Sequence, residues 1–219
     1  ERLQPEQITR LLNEYFTEMS AIALKHGGTI DKFVGDAMLI FFGDPETKGE
    51  AEDAAACVRM ALDMQHRVAE LNVKWRNEGI EHPFRVRMGV NTGYCNVGNF
   101  GSADRMDYTI IGAEANLAAR LQSIAEAGHV VVSYETYALV RRMIEAHPLA
   151  PIHMKGISRE VVPYRVEGML DAAGARMPVV SEHMTGLDLY LDPTIIDERT
   201  SERVEGVLRE ALEALQRHK

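Results

Sequence analysis

Long apolar runs are absent from this chain of 219 residues, and none approaches the roughly 20 residues that a membrane helix needs. We therefore expect no membrane contact from this segment. Cysteine is also scarce, because Cys57 and Cys95 stand alone, without a CxxC pair or a histidine at metal-ligand spacing. Two isolated thiols argue against a disulfide framework and a cysteine-held metal, and they indicate a reducing, cytoplasmic location for this segment, whether or not a longer parent chain is membrane-anchored.

Positive charge is in deficit, with 24 Lys and Arg against 33 Asp and Glu and a net charge of -9. A nucleic-acid-binding protein usually presents a basic face, so this balance argues against one. It does not argue against an enzyme of nucleotides, because local cations neutralise phosphates. The P-loop, the G-x-S-x-G turn and the Rossmann fingerprint are all absent.

Apolar spacing and glycine positions predict helices that alternate with hairpins. The predicted helices cover about 5–26, 51–77, 114–125, 133–146 and 201–219, and the predicted strands cover about 29–34, 37–42, 84–90, 108–111, 130–132, 152–154, 161–166 and 187–191. Glycines from Gly89 to Gly101 predict tight turns and a bent ribbon. This order indicates an α+β fold with helices on a mostly antiparallel sheet. A change of composition at Gly168 predicts a domain over 1–167, followed by a linker and C-terminal helical extension over 168–219.

An acidic turn is the most informative feature of the chain. Asp36 follows Gly35 between two apolar strands, which places its carboxylate at a hairpin tip, and Lys32 lies four residues earlier on the incoming strand. Carboxylates suit Mg²⁺ or Mn²⁺, and a lysine can donate to a base or a phosphate. Ordinary turn chemistry explains a Gly-Asp pair equally well, and a lysine at a sheet rim often only reaches for water.

Asn116 and Arg120 stand four residues apart on a helix rich in alanine, so they share one face. Arginine can clamp phosphate oxygens and asparagine can orient a hydroxyl group. The alternative is an exposed polar stripe on an amphipathic helix. Thr109 in the preceding strand and Lys155 in a late turn are further candidates, each unremarkable alone.

Taken in order, these motifs resemble the catalytic domain of class III nucleotide cyclases, over about residues 1–167. The similarity is greatest to soluble bacterial adenylyl cyclases of the bicarbonate-responsive subclass. It rests on several spaced motifs, namely Leu3-Gln4-Pro5-Glu6, the first-helix segment 11–16, the segment 27–38 around Lys32 and Asp36, Gly89-Val90-Asn91-Thr92-Gly93, Tyr108-Thr109-Ile110-Ile111-Gly112, the segment 116–121 and Lys155-Gly156.

The resemblance implies a ferredoxin-like βαββαβ fold with extra strands and the conversion of ATP to cyclic 3′,5′-AMP and pyrophosphate. It implies that Asp36 holds metal, with two Mg²⁺ or Mn²⁺ ions per site, and that Lys32 and Thr109 read the base. Guanylyl members tend to carry a glutamate where Lys32 stands. Asn116 and Arg120 resemble the catalytic pair that orients the ribose and stabilises the transition state, and Lys155 resembles a lysine on the terminal phosphates.

In this family the metal aspartates and the Asn/Arg pair come from opposite subunits, so the resemblance implies a homodimer. The family's other metal aspartate precedes the first helix, and this sequence begins after that point. We therefore expect a chain that is part of something longer, with its first strand missing, and near-inactive in isolation. One alternative is an inactive cyclase-like domain that binds nucleotide or a partner. A second is a diguanylate-cyclase or polymerase-palm relative, whose hairpin motif Gly35-Asp36-Ala37 does not match. A third is a purely structural dimerisation module.

Overall fold

The computed structural model describes residues 4–80, 84–154, 157–171, 174, 180–184, 186–191, 193, 196 and 198–217. The chain divides into two compact units, Glu1–Glu167 and Gly168–Lys219. The α+β class expected from the sequence is confirmed. Among the residues that the structure describes, no helix has the length and apolarity that a membrane crossing requires.

The first unit alternates helices with short strands. Its elements are α1 (Pro5–Lys25), β1 (Thr29–Val34), β2 (Ala37–Phe41), α2 (Glu50–Asn77), β3 (Met88–Val90), β4 (Asn96–Ser102), β5 (Arg105–Ile111), α3 (Ala113–Ile124), β6 (Val130–Val132), α4 (Tyr134–Val140), β7 (Ile144–Pro148), β8 (Ile152–Met154), β9 (Ile157–Val161) and β10 (Tyr164–Met169).

Helices α1 and α2 form one hydrophobic core. Leu11, Tyr15, Met19 and Ala23 recur every four residues of α1, and all are buried. This spacing puts them on one face of a helix, which packs against a matching buried face of α2 that ends at Trp75. Pro5 at the first turn and Gly27, which has φ +83, bound α1 as the sequence predicts.

A four-stranded sheet with the order β3-β6-β10-β7 lies at the centre of the unit. Strand β6 is parallel to β3 and antiparallel to β10. All three valines of β6 are buried, as expected for a strand covered on both faces. Leu117 and Leu121 of α3 are fully buried in a second cluster that includes Val131.

Two antiparallel hairpins, β1–β2 and β4–β5, stand beside this sheet. In the first, Val34 pairs with Ala37 across the Gly35-Asp36 turn, as predicted. The pairing also steps from Ile30↔Ile40 directly to Lys32↔Leu39, so Asp31 is the extra residue of a β-bulge.

The structure corrects three sequence predictions. A strand was expected over 84–90, but only Met88–Val90 is paired, because the Asn72 side chain takes both backbone groups of Phe84 at 2.8 Å each. The helix expected over 133–146 ends at Val140, and β7 follows. In the segment where the glycines predicted tight turns and a bent ribbon, β4, a strand that was not predicted, pairs residue by residue with β5.

The second unit contains β11 (Val180–Met184), β12 (Leu187–Leu191) and α5 (Glu198–Arg217). Strands β11 and β12 form an antiparallel hairpin. The strand predicted at Leu187–Leu191 is confirmed, and the terminal helix begins three residues before the predicted Ser201. Strand β11 was not expected.

Candidate active site

Lys32 and Thr109, which are 77 residues apart in sequence, are brought together by β1 and β5. The Lys32 Nζ donates a hydrogen bond to the Thr109 Oγ1 at 2.8 Å. The Lys32 side chain remains 46 % exposed, whereas Thr109 is buried. The predicted pair is therefore in contact, and one member of it is open to a ligand.

Asp31 lies beneath this pair and was not singled out from the sequence. Its Oδ2 accepts hydrogen bonds from the Thr109 hydroxyl at 2.6 Å and from the Ile110 backbone amide at 3.3 Å. Its Oδ1 lies 3.4 Å from the Lys32 Nζ. Regular strand alternation would point Asp31 and Lys32 to opposite faces, and the bulge brings both to one hydroxyl. No alternation pattern in the sequence signals such a bulge.

Asp36 occupies the two-residue turn as predicted. Gly35 has φ +63, a conformation that glycine adopts readily, and Asp36 is exposed at the tip. The charge of Asp36 also acts on the core. The pKa of Tyr15 is raised to about 12, with burial of its hydroxyl as the larger cause and the negative charge of Asp36 as the second.

The chemistry of this turn fits a hard divalent cation. No cluster of three or more His, Cys, Asp or Glu capable of holding a metal occurs in the described part of the chain. One exposed carboxylate suits Mg²⁺ or Mn²⁺, since such ions commonly take one or two carboxylates and complete their shell with water and substrate phosphates. Asp36 thus offers part of a site and not a closed cage.

Asn116 and Arg120 lie on the exposed side of α3, as the four-residue spacing predicts. Leu117 and Leu121, one position further along, are fully buried and anchor the helix. Within the described ranges, neither polar side chain has a hydrogen-bond or ion-pair partner, and neither contacts Lys32, Thr109 or Asp36 in this way. A single chain therefore presents the pair without joining it to Lys32, Thr109 or Asp36.

The packing of α3 on β3 depends on a glycine. A Cβ at Gly89 of β3 would overlap the backbone of Ala118 and Gln122, so the strand and the helix approach closely only because no side chain intervenes. The Asn91 side chain also donates to the Glu114 backbone oxygen at 3.0 Å and to its Oε2 at 2.7 Å, at the start of the helix. These contacts orient the face that carries Asn116 and Arg120.

The remaining candidate, Lys155, lies outside the described residues. A further polar contact joins β5 to the loop after β2, where the Tyr108 hydroxyl donates to the Asp44 carboxylate. This hydrogen bond is the first cause of a raised pKa for Tyr108.

Comparison with known proteins identifies the family of the chain. The family of adenylate and guanylate cyclase catalytic domains matches residues 1–168. Adenylate cyclase 1 of Rhizobium meliloti is 33 % identical over 172 residues, which cover 77 % of this chain and 25 % of that protein. The solved structure of the adenylyl cyclase CyaB from P. aeruginosa is 53 % identical, covers 75 % of this chain and 84 % of that one, and has a TM-score of 0.73.

A second solved structure, the guanylyl cyclase Cya2, is 32 % identical, covers 81 % of this chain and 88 % of that one, and also has a TM-score of 0.73. The chain belongs to the family of class III nucleotide cyclase catalytic domains. It spans about a quarter of the length of the curated relatives it matches.

Proposed function

We propose that the protein containing this chain is an adenylyl cyclase, which converts ATP to 3′,5′-cyclic AMP and pyrophosphate. The observation that carries the proposal is the contact between Lys32 and Thr109, which places a donor beside a hydroxyl at an accessible edge. The similarity to CyaB and to the Rhizobium enzyme, both named for adenylyl cyclase activity, supports it.

Each candidate residue has a part in this reaction. Lys32 and Thr109 bind the base, and Asn116 orients the ribose. The guanidinium of Arg120 meets the negative charge that develops on the α-phosphoryl oxygens, where a preorganised donor is worth most. Lys155 neutralises the terminal phosphates of the substrate.

The reaction forms one bond and breaks another at the α-phosphorus. The ribose 3′-oxygen attacks in line while its proton passes to water, and the bond from the α-phosphorus to the bridging oxygen breaks to release pyrophosphate. Asp36 would hold the divalent cations, two per site by family resemblance, which lower the pKa of the 3′-hydroxyl and neutralise phosphate charge when bound. Asn116 and Arg120 contribute by positioning and by electrostatics.

The complete site requires a second copy of the chain. We propose a homodimer in which Asp36 of one subunit faces Asn116 and Arg120 of its mate. It is consistent with a single chain in which those two side chains have no hydrogen-bond or ion-pair partner among the described residues. Residues 1–167 would form the catalytic domain, and 168–219 a linker and helical extension. We place this domain in the cytoplasm, where ATP and reduced thiols are found.

The proposal is tested by turnover of ATP and GTP with Mn²⁺, using the full-length protein. We expect ATP to be the better substrate. Lys32→Ala should lower kcat/KM for ATP by about 10- to 100-fold, because it removes a charged hydrogen-bond donor. Lys25→Ala is the matched control, since Lys25 is an exposed lysine at the end of α1 and its loss should leave turnover unchanged.

Preference for GTP would contradict the adenylyl assignment. Binding of both nucleotides without any turnover would favour the inactive cyclase-like domain instead.

A further inference from the structure

We propose that Asp31 is a positioning residue that sets the preference for ATP over GTP by directing the hydroxyl proton of Thr109. The inference rests on the proposed function, because it concerns the base that Lys32 and Thr109 would meet. The Asp31 side chain is only 2 % exposed, so it acts on a nucleotide through these two neighbours and not by touching it.

The hydrogen-bond pattern around Thr109 determines what its hydroxyl can offer. A threonine hydroxyl has one proton and two acceptor positions. The Asp31 carboxylate can only accept, so the proton of Thr109 points to it at 2.6 Å. The Lys32 ammonium can only donate, and it occupies one acceptor position at 2.8 Å. The capacity that remains on Thr109 is therefore that of an acceptor.

Lys32 is left with the opposite capacity. Its ammonium has three N–H donors, of which one goes to Thr109 and a second faces the Asp31 Oδ1 at 3.4 Å. The third has no partner among the described residues, and the side chain is 46 % exposed. Lys32 thus presents one donor, and Thr109 presents one acceptor next to it on the small part of its surface that is accessible.

With Lys32 opposite N1 of the purine and Thr109 opposite its 6-position, this polarity matches adenine and opposes guanine. Adenine carries a 6-amino donor beside the N1 acceptor, whereas guanine carries the O6 acceptor beside the N1–H donor. With its proton held by Asp31, Thr109 accepts from the amino group of adenine and cannot donate to the O6 of guanine. A threonine hydroxyl free to rotate would suit the 6-substituent of either base, so the buried carboxylate supplies the discrimination made at Thr109.

The bulge in β1 is the device that makes this arrangement possible. Because Asp31 is the extra residue between Ile30 and Lys32, two consecutive side chains reach the same hydroxyl. Asp31 also accepts from the Ile110 amide at 3.3 Å, which ties the β1 bulge to β5 and keeps the carboxylate in register with Thr109.

The test compares kcat/KM for ATP and for GTP in full-length wild-type, Asp31→Asn and Asp31→Leu proteins. Leucine removes every acceptor, so the ATP-to-GTP ratio should fall by about tenfold, the worth of one oriented hydrogen bond. Asparagine keeps one acceptor oxygen and should give an intermediate ratio. Asp63→Asn is the matched control, because Asp63 is a half-buried aspartate hydrogen-bonded to His26 at 2.7 Å, and its loss should not change the ratio.

Equal losses with both nucleotides, or an unchanged ratio, would overturn the inference, since a merely structural carboxylate affects both substrates alike. If the leucine variant does not fold, the ratio of the asparagine variant decides. Competition between non-hydrolysable ATP and GTP analogues in the same variants gives the ratio without turnover. A wild-type protein that does not cyclise ATP would therefore refute the proposed function and still leave Asp31 testable.

Discussion

Glu14 of α1 joins two residues of α2. Its Oε2 accepts a hydrogen bond at 2.9 Å from the indole Nε1 of Trp75, a residue that is 1 % exposed, and its Oε1 pairs with Lys74. The hydrogen bond from Lys74, followed by that from Trp75, lowers the pKa of Glu14 below its usual 4.5. This pair of contacts fastens the two helices that carry the first core.

We predict that Glu14→Ala lowers the free energy of unfolding by about 1–2 kcal/mol at pH 7, because a buried indole N–H loses its acceptor. A carboxyl whose folded-state pKa is lowered stabilises the fold above its unfolded-state pKa, and this contribution is lost as the pH falls through the folded-state pKa. The difference between wild type and variant in urea unfolding should therefore shrink below pH 4.5.

Glu46→Ala is the control, since Glu46 is an exposed loop residue. It should change the unfolding free energy very little at either pH. A Glu14→Ala effect of the same size at pH 7 and below pH 4 would contradict the explanation.

The candidate side chains differ in whether the sequence alone could identify them. Lys32, Asp36 and Thr109 could be named from the sequence because each stands at a spaced motif of the family. Asp31 could not, because its importance comes from a bulge that breaks the strand alternation on which the reading relied. The roles of Asn116 and Arg120 stay predictions, although the exposed face on which they lie is the expected one.

Among the secondary-structure elements, helix α3 was also predicted only in part. The existence of α3 and its polar face follow from helical spacing. Its position against β3 depends on Gly89, whose missing Cβ leaves room for the helix backbone. The start of β3 was predicted wrongly, because a side-chain amide from α2 replaces the strand hydrogen bonds at Phe84. The end of α4 was predicted wrongly, because β7 starts soon after Val140. Propensity yields to such tertiary contacts.

We predict that Gly89→Ala lowers the free energy of unfolding by about 1–3 kcal/mol, because the added methyl group forces β3 and α3 apart. It should also lower cyclase turnover, since Asn116 and Arg120 move with the helix. Urea unfolding and an activity assay on the full-length protein measure the two effects.

Gly98→Ala is the comparison for stability, because a Cβ there meets only Phe100 at 3.9 Å, an ordinary contact. Its effect should stay within about 0.5 kcal/mol. If both alanine variants unfold alike, the close approach at Gly89 is not what seats α3.

The assembly can be tested by mixing two inactive proteins. We predict that full-length Asp36→Ala and Arg120→Ala proteins are each at least about 100-fold less active than wild type, and that an equal mixture recovers about a quarter of wild-type activity. Half of all dimers in the mixture are heterodimers. One of the two sites in each heterodimer combines an intact Asp36 with an intact Arg120.

A site built within one subunit gives a different result, since every site would then carry one of the two substitutions. Absence of recovery, with dimers present by light scattering, would therefore contradict the shared site. Mixing Arg120→Ala with Asn116→Ala is the matched control, because both residues lie on α3 and no composite site is restored.

The spacing of apolar residues and the Gly35-Asp36 turn were enough to predict an α+β domain, and the resemblance of the ordered motifs to nucleotide cyclases indicated most of the candidate residues. These are local properties, because turn geometry and helical periodicity depend on neighbours within a few positions. The contact of Lys32 with Thr109, the carboxylate beneath them and the seat of α3 on Gly89 join positions far apart in the chain. They arise from packing between hairpins, sheet and helix, and packing is established only when the chain is folded.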